Sequence, residues 1–133
     1  MEIGDVFGPY HFQVSREQLV RYAGASDDYN PIHYDDAAAK GFGLPGVIVH
    51  GMLNMGLIAR YMLEEAFDGQ ARLEHYAVRF RQMVQPGCPL TVTGRVRDIA
   101  DDVVYVDVQL AADGEKPAVT GKMRLRAGVR KGN

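Results

Sequence analysis

The chain has 133 residues, of which 47% are hydrophobic and 24% charged, and its formal net charge is -2. This composition predicts one globular domain over residues 1–133, and it argues against nucleic-acid or membrane-surface partners, which need a basic excess. The single cysteine, Cys88, excludes an internal disulfide and is typical of a reducing cytoplasm. No apolar run approaches the ~18–20 residues of a membrane span, and the acidic start is unlike a signal peptide, so we expect a cytoplasmic protein.

Two short helices are predicted in the first third of the chain. Residues 15–18 read Ser-Arg-Glu-Gln, a capping box in which Ser15 caps a helix and Gln18 bonds back to it. The residues expected on the apolar side of this helix are Leu19, Val20 and Tyr22. The second helix is predicted to start at Asp35, where acids complement its positive end, and to stop at Gly41.

The loop between these helices places a carboxylate, Asp28, five residues before an imidazole, His33. Pro31, with Asn30 ahead of it, favours an extended or turned backbone, so both side chains can project toward the same point. A carboxylate and a histidine that share one water or one substrate proton form a common general acid/base pair. The alternative is that Asp28 forms a turn and His33 is polar surface.

A longer helix is predicted from Gly51 to Ala66, where apolar residues cover every side and only Asn54 and Arg60 interrupt them. A helix apolar all round is buried, and this one is too short to cross a bilayer, so we expect it inside the protein. The Gly51 N–H belongs to the donors that a helix leaves without intrahelical partners, and such a donor can stabilise an oxyanion. His50 either packs near the helix start or contacts substrate, and we leave it out of the catalytic set.

After Gly69 the pattern changes to strands, whereas before it we predict only helices and loops. Apolar and polar residues alternate with period two over residues 90–97, 104–110 and 119–126, which predicts three antiparallel strands joined by tight turns. Another strand is predicted around Tyr76 to Val84, ended by Pro86 and Gly87. One buried helix and one-sided strands together predict an α+β fold in which an antiparallel sheet wraps its apolar face around the central helix.

Two segments resemble the hydratase motif of the MaoC-like dehydratases, also called (R)-specific enoyl-CoA hydratases. They are Tyr22 to His33, which ends in Asp-Tyr-Asn-Pro-Ile-His, and Val49 to Met52, which reads Val-His-Gly-Met. The stretch His-Gly-Met-Leu-Asn-Met-Gly, followed by Val-Arg-Phe, is similar to the catalytic subunit of mycobacterial-type hydroxyacyl-ACP dehydratases. The resemblance implies a single hotdog domain, paired edge to edge with a second unit and with its active site at the interface.

The resemblance also implies a mechanism. Asp28 and His33 would hold one water, deprotonate it for attack at C3 of a 2-enoyl thioester and deliver a proton to C2, or run the reverse reaction. Gly51 would bind the thioester carbonyl through its amide, while Asn30 would shape the loop and orient the pair at the substrate. The implied substrate is an acyl-CoA or an acyl-ACP, and no cofactor or metal is required. The implied assembly is a homodimer, or a heterodimer with a second hotdog subunit.

Two residues depart from the family pattern, and two other functions remain open. Asp27 replaces the usual Gly before the catalytic acid, and we expect it to face solvent; Ala59 stands where some members have a Ser that supports the water network.

A hotdog acyl-CoA thioesterase would not need the Asp28 and His33 pair, and a non-catalytic partner subunit could also dispense with it. Five basic strand residues either meet a carrier's phosphates or form a solvated face: Arg79, Arg81, Lys122, Arg124 and Arg126.

Overall fold

A single antiparallel sheet and three helices make up the computed structural model, which describes residues 1–26 and 30–127. The strands are β1 (Val6–Phe12), β2 (Arg72–Phe80), β3 (Leu90–Ala100), β4 (Val103–Ala112) and β5 (Pro117–Arg126), in the sheet order β1-β3-β4-β5-β2. The helices are α1 (Arg16–Ser26), α2 (Asp36–Gly41) and α3 (Gly51–Arg60). A 3-10 turn at Pro31–His33 precedes α2, and a π-helical turn at Tyr61–Ala66 continues α3.

One face of the sheet is apolar and buried, as the period-two pattern predicts. The predicted inward side chains of β3, β4 and β5 are at most 4% exposed: Leu90, Val92, Val96, Val104, Val106, Val108, Leu110, Val119, Met123 and Leu125. The central helix lies on this face, where Ile58 and Met62 have no exposed surface. The burial of these apolar side chains is the main favourable term in the stability of such a domain. The predicted α+β architecture, a sheet wrapped on one helix, is confirmed.

The sequence pattern does not predict β1, which lies in the part assigned to helices and loops. Gly8 and Pro9 interrupt its alternation, and its pairing with β3 shifts register between Phe7 and Tyr10. Proline cannot donate a ladder hydrogen bond, so it is tolerated where a strand forms the edge of a sheet or carries a bulge. β1 is an edge strand and has such an irregularity. Its pairing with β3 therefore makes it a strand, although its local sequence pattern does not predict one.

The capping box at the start of α1 is confirmed, but one predicted apolar contact is wrong. The Gln18 N–H donates to Ser15 Oγ at 3.1 Å, and the Ser15 N–H donates to Gln18 Oε1 at 2.8 Å. Leu19 and Ala23 are buried, whereas Val20 is 58% exposed. Leu19 and Ala23, four residues apart, form the buried stripe on one side of this short helix. Val20 points away from that stripe.

The central helix is buried on one side only. Asn54 and Ile58 face the protein interior, whereas Met52 is 60% exposed and Gly56 is also exposed. The expectation that this helix is buried all round is therefore wrong for the stripe through Met52, because the sheet covers only the opposite side in a single chain. The second helix agrees with its prediction: Asp35 is its cap and accepts hydrogen bonds from the N–H groups of the first turn.

Replacing Gly121 with alanine is expected to lower the free energy of unfolding by about 1–3 kcal/mol, the usual cost of overpacking. A Cβ at Gly121 would lie 2.8 Å from the Ala77 carbonyl oxygen and 2.9 Å from Val78 Cγ1, so β2 would have to move away from β5. Urea denaturation measures the change. The control is Gly56→Ala, whose added Cβ meets nothing within 4 Å and should stabilise the helix. Equal stability of the two variants would contradict this packing.

Candidate active site

His33 ends a one-turn helix that Asn30 caps. The Asn30 Oδ1 accepts a hydrogen bond from the Ile32 N–H at 3.2 Å, and the Asn30 carbonyl accepts one from the His33 N–H at 3.1 Å. Pro31 suits the first position of this turn, because its missing N–H would have no intrahelical partner there. The sequence Asn-Pro-Ile-His thus folds locally into a turn that holds the histidine in one orientation.

The buried His33 ring has a defined tautomer. The side chain is 7% exposed, and its Nδ1 lies 2.8 Å from the Ile48 carbonyl oxygen. A carbonyl only accepts hydrogen bonds, so Nδ1 carries the proton and donates it. In the neutral ring, Nε2 is then the basic nitrogen. The Ile48 N–H also donates to the Ile32 carbonyl at 3.0 Å, so the same residue holds both the backbone and the ring of this turn.

His50 stacks on His33 and joins the loop to the start of α3. The two ring centroids are 3.7 Å apart and the ring planes differ by 21°. Tyr22, from α1, meets the His50 ring edge-on at 4.8 Å between centroids. His50 is 1% exposed. Of the two roles that the sequence leaves open for His50, packing is therefore the one observed, and its partner is the site histidine. In the sequence, the position of His50 in the motif Val-His-Gly-Met is the feature that could have identified it as a residue of the site.

The segment between His33 and α3 is held from both sides by hydrogen bonds that its backbone N–H groups donate. Asp36 Oδ1 accepts from the Val47 N–H at 3.0 Å, and the Val49 N–H donates to the Val84 carbonyl at 2.7 Å. The Val47 N–H, and after it the Arg16 guanidinium, lower the pKa of the Asp36 carboxyl. A carboxylate that stays ionised keeps accepting this bond. The buried run from Gly46 to His50 thus has a fixed path.

Gly51 stands at the first position of α3, directly after His50. The N–H groups of Leu53 and Asn54 donate to the His50 carbonyl, at 3.1 and 3.2 Å, so the Gly51 N–H lies ahead of the first intrahelical bonds. It is at the positive end of the helix dipole. The Phe80 ring covers this glycine: a Cβ at Gly51 would lie 3.1 Å from Phe80 Cε1. Phe80, at the end of β2, is a site residue that the sequence reasoning missed.

Two further residues of α3 and β2 bear on the site. The Tyr76 hydroxyl donates to the Met55 carbonyl at 2.8 Å, and burial raises the pKa of Tyr76, so it stays a neutral donor that ties β2 to α3. Asn54 is 3% exposed, and its Oδ1 accepts no hydrogen bond from any described residue. The sequence signal for Asn54 is a polar residue inside an otherwise apolar helix.

Not every predicted site residue lies in the described part of the chain. Asp28, the predicted acid, and Asp27, expected to face solvent, fall outside it. His33 and Gly51 come together through His50, which stacks on one and precedes the other. The pairing of Asp28 with His33, and the roles of Asn30 and Gly51 toward a substrate, stay predictions. Within residues 1–26 and 30–127, no three His, Cys, Asp or Glu side chains are grouped to hold a metal ion, and no helix could span a membrane.

An antiparallel sheet wrapped on one central helix is the architecture of a hotdog domain. The family model described as MaoC like domain matches residues 2–115. The chain therefore belongs to the MaoC-like family.

One curated protein and two solved structures are similar to this chain. A 3-hydroxyacyl-thioester dehydratase X from Mycobacterium tuberculosis is 38% identical over 72 residues, which are 54% of this chain and 24% of that protein. An (R)-hydratase from A. caviae involved in PHA biosynthesis has a TM-score of 0.89 at 22% identity, covering 95% of this chain and 96% of that one. The ChsH1-ChsH2 complex from M. tuberculosis gives 0.86 at 21% identity, covering 95% and 98%. These two structures show the fold. The chain spans a quarter or less of the length of the first curated relatives it matches.

Proposed function

We propose that this chain is a hydro-lyase that reversibly hydrates 2-enoyl thioesters to (R)-3-hydroxyacyl thioesters. The main supporting observation is the His33 ring, which is buried next to the start of α3 and presents Nε2 as its basic nitrogen because Nδ1 donates to Ile48. Family membership and the relative named as a 3-hydroxyacyl-thioester dehydratase support the same activity.

The proposed reaction uses two protein groups for proton transfer and one for charge. Asp28 and His33 Nε2 take a proton from water as its oxygen bonds to C3, and the π electrons of the double bond pass into the thioester as an enolate. The Gly51 N–H donates to the carbonyl oxygen, where this charge develops, and a donor so placed is worth about 10²–10³ in rate. The Asp28 and His33 pair then delivers the proton that it took from the water to C2, where the enolate electrons form the new C–H bond and the thioester carbonyl is restored. Dehydration is the same sequence in reverse.

A basic groove on the outer face of the sheet supports a phosphate-bearing carrier, either coenzyme A or an acyl carrier protein. Its volume is about 420 Å³, and Arg79, Arg81 and Lys122 line it. None of these three forms an ion pair with a carboxylate of the described residues, whereas Arg124 and Arg126 both pair with Glu74. Of the five basic residues, the first three are therefore the ones available to phosphates.

The free edge of β2 supports pairing with a second hotdog subunit. This strand has nine residues and bonds only to β5 within the described sheet, whereas β1 at the other edge contains a proline and a register shift. Exposed apolar side chains lie beside the end of β2: Met52, Phe80 and Met83. A long edge strand with apolar neighbours favours pairing. We propose a homodimer through this edge, with Phe80 and Gly51 beside the interface.

Two other functions remain candidates. A thioesterase would hydrolyse the acyl-carrier bond and release a free thiol, without change at the double bond. A heterodimeric dehydratase is the second, since one structural relative is a complex of two differently named chains. In that case this chain supplies His33 and Gly51, and the other subunit completes the site.

Hydration by the purified chain tests the proposal directly. We expect the absorbance of the conjugated enoyl thioester to fall on crotonyl-CoA or a longer 2-enoyl-CoA, with an (R)-3-hydroxyacyl product and no free thiol. Release of thiol instead would favour the thioesterase. No reaction with CoA or ACP substrates, by a chain that is monomeric in sedimentation, would contradict the homodimeric hydratase and favour the heterodimer.

A further inference from the structure

Asn54 is a buried polar side chain whose oxygen has no partner within the described chain. It is 3% exposed, and it lies on α3 among apolar residues of the core. An amide oxygen taken out of water without a replacement hydrogen bond costs free energy, so buried acceptors of this kind are rare and need an explanation. A leucine in its place would fill the same space without that cost. The position therefore favours a function over packing.

Asn54 lies in the first turn of α3, on the buried face of the helix, four residues after His50, which precedes the helix. The Asn54 N–H donates to the His50 carbonyl at 3.2 Å, so a direct hydrogen bond joins the two residues. The next residue of this face is Ile58, which has no exposed surface. The Asn54 side chain is thus buried in the helical turn that directly follows His50, whose ring stacks on His33 with centroids 3.7 Å apart.

The partner of Asn54 Oδ1 must be a small hydrogen-bond donor from outside the described chain. At 3% exposure the amide is shielded from bulk solvent, and buried waters typically serve polar groups that the chain leaves unsatisfied. A water that bridges two polar groups is nearly as favourable in enthalpy as a direct hydrogen bond.

We propose that Asn54 is a positioning residue of the His33 site, and the proposal rests on the function proposed above. Its Oδ1 accepts a hydrogen bond from one ordered water beside the His50 ring, and this water holds the stack of His50 on His33. The His33 Nε2 is thereby kept in the direction that the reacting water requires. Asn54 itself does not touch the reacting atoms.

The test uses two variants of the same shape, Asn54→Thr and Asn54→Val. Threonine has a hydroxyl group where valine has a methyl group. Threonine keeps an oxygen acceptor at this position and valine has the same shape without it. We expect kcat for hydration to be about tenfold lower in the valine variant than in the threonine variant, with KM unchanged. An effect of about this size is typical when a residue that orients a metal-bound histidine is removed. Circular dichroism should show that both variants are folded at the assay temperature. Equal kcat values would overturn the proposal, as would a difference in KM alone, which would indicate substrate contact.

A crystal structure gives a readout that does not depend on the reaction. Density for a water within hydrogen-bonding distance of Asn54 Oδ1 in the wild type, and its loss in the valine variant, would support the proposal. A dry amide, or a protein donor in place of the water, would overturn it. If the wild type hydrates no enoyl thioester, the proposed function fails, and the crystal structures alone then decide whether Asn54 holds a water beside His50.

Discussion

Replacing His33 with asparagine is expected to lower kcat for hydration of a 2-enoyl-CoA by about 10²–10⁴-fold, the contribution of a positioned acid or base. The Asn amide nitrogen occupies nearly the place of Nδ1, so it can still donate to the Ile48 carbonyl, which now accepts the His33 bond at 2.8 Å. What the variant lacks is Nε2, the nitrogen assigned to proton transfer. The loss of enoyl thioester absorbance, followed with crotonyl-CoA and with a longer substrate, measures the change.

The asparagine variant separates chemistry from folding better than alanine does. His33 is buried against His50, so His33→Ala leaves a cavity and an unpaired Ile48 carbonyl, both of which destabilise the site. His11→Ala is the matched control, because His11 is an exposed histidine on β1, at the opposite edge of the sheet from β2. We expect the control to keep full activity. Hydration by His33→Asn at close to the wild-type rate, in a folded protein, would disprove the assignment of Nε2.

Replacing Asp28 with asparagine is expected to reduce kcat by two or more orders of magnitude, about the same size of effect. This prediction rests on the motif, in which the carboxylate shares one water with the histidine five residues later. Asparagine is nearly isosteric with aspartate but is not a base, so the variant tests proton transfer rather than shape. The same absorbance assay, with circular dichroism to confirm folding, measures it.

Asp27 offers a control one residue away. Asp27→Asn removes the same charge from the same loop, so a purely electrostatic effect of the loop would appear in both variants. We expect Asp27→Asn to be close to wild type. If both variants lose activity equally, Asp28 has no special role.

The two catalytic predictions are linked. If Asp28 and His33 act on one water, the double variant should be little worse than the more damaged single variant, because groups that act as a unit are not additive. Additive losses would mean that the two side chains act at separate steps.

Much of the fold could be predicted from local patterns. The capping box at Ser15 and Gln18 forms as expected, because its hydrogen bonds join residues three apart in the chain. The inward residues of β3, β4 and β5 follow from their alternation, because a pleated strand turns successive side chains to opposite faces. For the site, the sequence predicts the motif residues themselves, and the structure adds the His33 tautomer, which depends on Ile48, a carbonyl fifteen residues away.

Other features could not be predicted, since they depend on which distant segments meet. Val20 is apolar but exposed, and β1 is a strand despite Gly8 and Pro9. Phe80, at the end of β2, covers Gly51 at the start of α3, and no local sequence pattern predicts that contact. Asn54 interrupts an apolar helix visibly in the sequence, but only its burial shows that the interruption faces inward.

Short-range information was therefore sufficient for the helix caps and the strand alternation, because these depend on steric preferences and hydrogen bonds between near neighbours in the chain. The family and the candidate proton-transfer residues came from the resemblance of two sequence motifs. The orientation of His33, its stack on His50 and the burial of Asn54 were decided by the tertiary structure alone. Each of them requires that α1, the loop at His33 and the start of α3 pack together, and that packing depends on the total surface buried by the whole sheet and helix rather than on any one segment.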